Sequence, residues 1–413
     1  MMRVKLSGAQ LVAHVCAAQV LAQIGAYFWP ALLPGMIPLW GLSNSEAGWI
    51  TAIFYGAYVA AVPILVTLTD RIDPKRVYLF GVACTVTGHV LFGLLAEGFW
   101  SALGLRALAG VGWAGTYMTG LKLLADRVDA KLMSRAVTGH AASIGVSGAL
   151  SFSAAGLLAE FFGWRAAFVV AGSSAAAAWL LVALSVPRGS PPAPAADGFK
   201  LFDFRPVFRN RSAMAYAIGY CIHTLEMNAL RGWGVAFLGY VAIATGATGS
   251  LLAPTLVLTA LALIGTAASV LGNEAAIRFG RRRLIGFAML ASVVVGGSIG
   301  FAGTLSYPIA VGLLLAYGFI VWLDSSSLTA GSAGTADPAR RGATLAVHST
   351  FGYAGGFIGP LMIGVILDLA GGMSRAAWGA AFLAVAALML LALAAFWLLR
   401  PRELAGDRGA RQT

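Results

Sequence analysis

The chain has 413 residues, of which 59% are hydrophobic and 11% charged, with a mean hydropathy of +0.83. A soluble domain carries about 25% charged residues, so a water-soluble enzyme or binding module is excluded and a polytopic membrane protein remains. The net charge of +12 could suit nucleic acid, but threading the chain from the cytosol through twelve crossings puts 24 of the 28 Lys and Arg at cytosolic loops or helix ends, and that bias reports topology instead.

The apolar runs are about 20–27 residues long with no period-two alternation, so they read as helices, not strands. The first span covers about 9–33 and carries Gln19, Gln23 and Tyr27. An outer turn with Pro34, Pro38 and Gly41 follows, and Ser45 is expected to cap the second span, about 46–69. Spans three to six lie near 77–96, 99–124, 136–160 and 166–186. Residues 188–211 are Pro- and Ala-rich, then basic, and too polar to cross, so they read as a cytosolic linker. Spans seven to twelve follow near 213–239, 249–272, 283–303, 306–330, 341–367 and 376–399. The tail, RPRELAGDRGARQT, is short and basic and is expected to be mobile. MMRVKLSG before an apolar run looks like a signal peptide, but the run is too long for one and more spans follow, so no cleavage is expected.

Span seven is unusual in holding His223, Glu226 and Arg231. An ionised group at the bilayer centre costs about 2.5–3.5 kcal/mol on insertion scales, so these residues require partners or a water-filled cavity. His223 and Glu226 share a helix face at i, i+3. Arg231 lies roughly 12 Å further along, so its partner is expected on another helix or on a ligand. A structural ion pair locking two helices is the alternative. Cys16, Cys84 and Cys221 sit within apolar runs, and neither a disulfide framework nor metal-ligand spacing is visible.

Two echoes mark an internal repeat. His140 stands sixteen residues before Gly156 and His348 sixteen before Gly364, and a Trp-x-Ala-Ala-Phe run follows each, at Trp164 to Phe168 and Trp378 to Phe382. The expected organisation is a six-helix bundle in 1–187, a cytosolic linker in 188–212 and a second six-helix bundle with a short cytosolic tail in 213–413. Two such halves with a site between them is a transporter architecture.

The loop after span two reads Val66, Thr67, Leu68, Thr69, Asp70, Arg71, Ile72, Asp73, Pro74, Lys75, Arg76. Its Leu-x-Asp-Arg core and basic end resemble the G-x-L-A-D-R-x-G-R-K/R pattern of the major facilitator superfamily, with Val66 and Asp73 in place of the glycines. The matching second-half loop keeps Arg278, Gly280, Arg281 and Arg282, with Ile277 in place of the acid. In span four, Arg106, Gly110, Gly112 and Gly115 resemble the family's Arg-x-x-x-Gly-x-Gly pattern. The antiporter pattern of span five is poorly kept, with Ser151 and Phe152 in place of Gly-Pro, whereas span eleven holds Gly355, Gly359, Pro360 and Gly364. The resemblance covers nearly the whole chain. It implies an all-α membrane protein of twelve transmembrane helices in two bundles, with spans one, four, seven and ten lining a central cavity.

The resemblance makes Asp70, Arg71, Arg76, Arg278, Arg281 and Arg282 candidates for a cytosolic gate; the alternative is a solvated turn that only enforces topology. Away from helix ends, charges in apolar runs fall only on Arg106 and Lys122 in span four, Glu226 and Arg231 in span seven and Asp324 in span ten. His223, Glu226, Arg106 and Asp324 are the candidates for proton coupling. Gln19, Gln23, Tyr27, Tyr117, Lys122, Arg231, Trp233, Tyr317 and Trp322 are the candidates for a substrate cavity. Snorkelling of Lys122 and Asp324, a hydrogen-bonding role for Arg106, and packing of the aromatics stand beside these roles. The expected function is gradient-driven transport of a small molecule, proton-coupled, with a small anion favoured by the excess of cavity cations. A proton-driven efflux antiporter is the alternative within transport, and a non-transporting receptor or scaffold the alternative from another class. No enzyme activity, cofactor, metal or nucleic-acid partner is expected. The expected partners are substrate, protons and the bilayer of an inner membrane, with both termini expected in the cytoplasm and the chain expected to act as a monomer.

Overall fold

A computed structural model describes residues 6–69, 71–189, 204–247, 249 and 252–407. Asp70 and residues 190–203 of the expected linker lie outside them. The regular elements among the described residues are helices: α1 Gly8–Gln23, α2 Phe28–Trp40, α3 Asn44–Leu68, α4 Pro74–Leu95, α5 Phe99–Ala114, α6 Tyr117–Ala125, α7 Ala130–Ser185, α8 Arg205–Arg209, α9 Arg211–Ala244, α10 Pro254–Phe279, α11 Arg281–Ala302, α12 Tyr307–Trp322, α13 Ser325–Gly334, α14 Arg341–Leu369 and α15 Arg375–Leu399, with short 3-10 turns before α12 and α14.

Among the described residues nine helical stretches are long and apolar enough to cross a membrane. One of them, Lys131–Ser185, holds the expected spans five and six, divided at Gly163, whose φ of 80° breaks the helix. The expected spans four and seven fall outside this set. Span four is interrupted, its pieces α5 and α6 meeting at Gly115–Thr116. Span seven, α9, is a continuous helix of 34 residues that carries too many polar groups. Spans one and ten are also broken, at 24–27 between α1 and α2 and at Leu323–Asp324 between α12 and α13.

The chain divides into two compact units, Met1–Leu42 with Ile53–Asp197, and Ser43–Ala52 with Gly198–Thr413. In the first, α7 packs on α1 and α4, and α4 packs on α5. The break in span one frees backbone groups that the sequence supplies with partners. Arg106 Nη1 donates to Ala26 O at 3.2 Å, and Tyr27 N donates to Ser151 Oγ at 2.9 Å while its ring stacks on Phe152 at 5.1 Å. Ser151 and Phe152, where this chain departs from the family pattern, therefore hold the broken turn. Arg165 donates to Gly93 O and Leu94 O at 3.2 Å and to Ala96 O at 3.5 Å. It satisfies the free carbonyls at the C-terminus of α4, where a cation is also favoured by the helix dipole.

At the other end of α4, Asp73 is the N-cap and accepts from Lys75 N at 3.0 Å, Gly189 N at 2.7 Å and Arg127 Nη2 at 2.5 Å. Lys75 Nζ reaches Ala183 O and Val186 O at the end of α7, at 2.9 and 2.5 Å. Burial alone would push the Asp73 carboxyl up, but the two N–H groups and the guanidinium outweigh it and hold it below the ordinary carboxylate value. A lowered carboxyl contributes stability that is present above its unfolded pKa and lost as pH falls through the folded one. The apparent melting temperature in detergent is thus expected to fall on acidification below about pH 4. Asp73→Asn should melt lower at pH 7 and show a weaker dependence over that acid range; an unchanged profile would mean that Asp73 does not carry the effect.

In the second unit α9 is the centre, packed on α14, α15, α13 and α12, while α11 pairs with α15. Gly355 and Gly359 seat α14 on α9: a Cβ at these positions would stand 2.0 Å from Cys221 O and 2.2 Å from Leu225 O. Two expectations are corrected here. The cap of α3 is Ser43, not Ser45, through a capping box in which Glu46 N donates to Ser43 Oγ at 3.1 Å and Ser43 N to Glu46 Oε2 at 2.8 Å. The tail is packed as far as Asp407. After a left-handed Arg400 (φ 48°) and Pro401 it turns back, with Tyr216 Oη donating to Arg402 O at 2.8 Å and Arg402 N to Ser212 Oγ at 3.1 Å. Its docking has a local cause. The N-cap of α11 is Gly280, at φ 99°, which has no side chain to cap with. Glu403 fills that role, accepting from Arg281 N at 2.9 Å and Arg282 N at 3.0 Å.

Candidate functional site

The polar residues of α9 gather partners from α11, α12, α13 and α14. Glu226 is 1% exposed. Its Oε1 accepts from Ser292 Oγ of α11 at 2.5 Å and from Tyr317 Oη of α12. Its Oε2 has no hydrogen-bond partner among the described residues. A cavity of about 10 Å³ lies beside it, lined by Glu226, Tyr317, Trp233, Trp378 and Phe382 among others, which is about the room one water needs. One oxygen thus takes two hydroxyl donors while the other is left for a proton or a water.

One turn before Glu226, His223 Nδ1 lies 2.9 Å from Asp324 Oδ1, at ion-pair distance but without the alignment of a hydrogen bond. Asp324 stands at the N-cap position of α13, without a side-chain capping bond, at the break of span ten, where the helix discontinuity brings a carboxylate into the bundle interior. Both groups are buried. Tyr220, one turn further back, stacks on His223 at 5.7 Å and on His348 of α14 at 4.1 Å, and His348 Nε2 reaches Thr329 Oγ1 at 3.2 Å. The sequence treats His348 as a singleton, whereas the fold joins it through Tyr220 to the His223–Asp324 pair. His140 in the first unit plays a comparable part: its Nε2 lies 2.9 Å from Tyr117 O, and its ring stacks on Tyr117 at 6.0 Å. Each member of the histidine echo packs against the second piece of a broken span.

Arg231 lies with its guanidinium over the Trp322 ring at 4.7 Å, a contact from span seven to span ten. Trp233 Nε1 donates to Pro360 O at 2.8 Å, and Trp233 meets Trp378 edge-on. In the first unit Gln19 accepts from Tyr78 Oη at 3.3 Å, and Gln23 Nε2 donates to Thr116 Oγ1 at 2.7 Å, joining the breaks of spans one and four. Arg106 lies over the Phe54 ring at 4.5 Å. Lys122 lies 3.7 Å from Asp126, one turn on, so its charge is offset locally.

Of the gate candidates, Asp70 lies outside the described residues. Arg71, Arg76 and Arg278 are exposed. Arg281 is buried: Nε and Nη2 grip Asp407 at 3.0 Å each, and Nη1 donates to Asn273 Oδ1 at 3.1 Å and Ser327 O at 3.3 Å. Arg282 lies over Trp397 at 5.6 Å. Ser292, Tyr220, Glu403 and Asp407 are the polar partners that sequence reasoning missed. A neutral serine or tyrosine in an apolar run carries no signal, but the two acids of the tail do, as the only negative charges among its basic residues.

A family model described as Major Facilitator Superfamily matches residues 15–254. The chain belongs to this superfamily. Human protein spinster homolog 1 is 28% identical over 243 residues, covering 56% of this chain and 46% of that protein. Human monocarboxylate transporter 11 is 30% identical over 220 residues, covering 48% and 45%. The aligned part therefore spans about half the length of these relatives. Solved structures share the fold over nearly the whole chain. A bacterial homologue of the human lysosomal transporter spinster aligns with TM-score 0.76 at 15% identity, covering 96% of this chain and 97% of that one. The human organic anion transporter MFSD10 aligns with TM-score 0.67 at 18% identity, covering 95% and 100%. The chain is thus a multi-pass membrane protein of the superfamily.

Proposed function

We propose that this transporter moves a small organic anion by alternating access and couples the movement to protons through Glu226 and the His223–Asp324 pair. The supporting observation is the Glu226 carboxyl itself: it is buried on α9, held on one oxygen by two hydroxyls, without a hydrogen-bond partner on the other among the described residues, and it lines a water-sized cavity. A structural ion pair would place a cation against this carboxyl, yet the partners of its Oε1 are neutral. Anionic cargo is favoured by Arg231 and Arg106 inside spans seven and four, and by similarity to proteins named for monocarboxylates and organic anions. The test is uptake of radiolabelled monocarboxylates into proteoliposomes with and without an imposed pH gradient, with nucleosides as a neutral control. Gradient-driven accumulation of the carboxylates is expected; transport that ignores the pH gradient would remove the proton coupling. Arg231→Lys keeps the charge but loses the planar fork, and should weaken binding of a planar anion in particular.

In this reading the chain sits in an inner membrane with both termini and residues 188–211 in the cytosol, as the placement of its basic residues suggests. Single cysteines at 195 and 306, in a background without Cys16, Cys84 and Cys221, are expected to label from opposite faces. Labelling of both from outside would overturn the orientation. The loop holding Asp70, Arg71 and Arg76 acts as the cytosolic latch, whereas Arg281 acts through the tail it grips. Asp70→Asn is expected to slow transport and favour the inward-open state.

A further inference from the structure

The His223–Asp324 contact is short but poorly aligned: Nδ1 and Oδ1 stand 2.9 Å apart without the geometry of a hydrogen bond. A Coulomb attraction depends on separation and fixes no ring angle, so the angle of the imidazole is set by its surroundings. Tyr220, one turn before His223 on α9, stacks on it at 5.7 Å with 17° between the ring planes. The same tyrosine stacks on His348 of α14 at 4.1 Å and 15°. Gly352, one turn after His348, makes room for that ring: a Cβ there would stand 2.4 Å from Tyr220 Cε1. Beside His223, Thr224 Oγ1 donates to Gly352 O at 2.5 Å and ties the same turn of α9 to the same turn of α14.

His348 is fixed in turn from α13. Thr329 Oγ1 donates to Ser325 O at 3.3 Å and lies 3.2 Å from His348 Nε2. A hydroxyl has one proton to give. With that proton on the Ser325 carbonyl, the Thr329 oxygen accepts, and His348 Nε2 carries the N–H. His348 Nδ1 is then the bare nitrogen, buried and without a hydrogen-bond partner among the described residues. Ser325 follows Asp324 directly, so this chain of contacts returns to the carboxylate that faces His223. Helix α9 thus meets the start of α13 twice, directly through His223 and Asp324, and by way of Tyr220 and His348 of α14. Two crossings fix an orientation that one leaves free, and side chains locked by packing and hydrogen bonds are what hold a functional pair in register. The neighbouring acid is Glu226, one turn on along α9, with Tyr317 of α12 on its Oε1.

We propose that Tyr220 and His348 are positioning residues: with Thr329 they hold the His223 ring at the angle at which it faces Asp324, and His348 does so as the neutral tautomer protonated on Nε2. The proposal rests on the proton-coupled reading of that pair, but its first readout requires no transport. The chain has five histidines, His14, His89, His140, His223 and His348, few enough for nitrogen NMR of the histidine-labelled protein in nanodiscs, with His223→Gln and His348→Gln assigning two of them. His348 is expected to show a single tautomer with its proton on Nε2, and Thr329→Val, which removes the acceptor, is expected to give a mixture. Gly352→Ala adds a Cβ whose nearest neighbours are all atoms of the Tyr220 ring. It displaces that ring without altering a polar side chain, and is expected to split or broaden the His223 ring signals. Tyr220→Leu should do the same, whereas Tyr220→Phe keeps the ring and should stay closer to the parent. In proteoliposomes, Gly352→Ala and Tyr220→Leu are expected to lower accumulation driven by a pH gradient by about fivefold or more relative to exchange at equal pH. A loss of folded protein would lower both rates together. His348 protonated on Nδ1 in the parent would overturn the proposal. Parent-like His223 signals in whichever of Gly352→Ala and Tyr220→Leu fold would overturn it too. A parent that accumulates nothing on a pH gradient would count against the proposed function, while the NMR result would still decide how His223 is held.

Discussion

Glu226→Gln is expected to abolish accumulation of substrate driven by a proton gradient while leaving exchange at equal pH close to the parent rate. The argument begins with what glutamine can keep. Its Oε1 still accepts from Ser292 and Tyr317, and its amide takes the place of Oε2, which has no hydrogen-bond partner among the described residues, so the fold should lose no more than about 1 kcal/mol. What it cannot do is change protonation. Coupling is a free-energy difference between sites, and alternating access can drive it only if a group binds its proton differently in the two states. Coupling energies of about 1–3 kcal/mol correspond to factors of roughly 5–150, which is the loss expected in the accumulation ratio. Asp324→Asn tests the neighbouring pair, and because these acids share one buried cluster the two effects should not add. If Glu226→Gln still accumulates substrate on a proton gradient alone, Glu226 is not the coupling residue, and its two hydroxyl bonds serve to pack α9 against α11 and α12.

Asp407→Ala is expected to produce the largest loss of stability of any single substitution in the tail, about 3 kcal/mol. Arg281 is 2% exposed, and its guanidinium is held by both carboxylate oxygens of Asp407. Among the described residues, removing the acid leaves this buried cation with Asn273 Oδ1 and the Ser327 carbonyl, and an uncompensated buried charge is costly. Glu403→Gln should cost less, in the range of about 0.5–2 kcal/mol typical of a lost helix cap. The double variant Arg281→Met, Asp407→Leu removes both charges at once and should recover most of the loss. Apparent melting temperature in detergent is the readout. A parent-like melting curve for Asp407→Ala would show that the Asn273 and Ser327 contacts suffice and that the tail is dispensable to the bundle.

The spans and their order were legible because each is a local property. A membrane-crossing run must hide its backbone, so about 20 apolar residues announce themselves without reference to any other part of the chain. Gly163, at φ 80°, divides spans five and six where the hydropathy falls. The breaks in spans one, four and ten were not legible in the same way. Ile24 to Tyr27 and Gly115–Thr116 are apolar or small, and at the break of span one the freed backbone groups find partners from elsewhere: Arg106 for the Ala26 carbonyl and Ser151 for the Tyr27 N–H.

The sequence by itself determined that this is a polytopic helical protein of the superfamily, and that span seven carries a histidine, an acid and an arginine within an apolar run. The tertiary structure alone decided which groups answer them. Glu226 meets Ser292 and Tyr317, 66 and 91 residues away. His223 meets Asp324, Arg231 meets Trp322, and Arg281 meets an acid in a tail that looks mobile as a string of letters. The reason is physical. Hydrophobic length is summed along the chain, so it can be read along the chain, whereas a buried charge is stabilised by whatever polar group the packing brings within about 3 Å, and that is a property of the folded bundle.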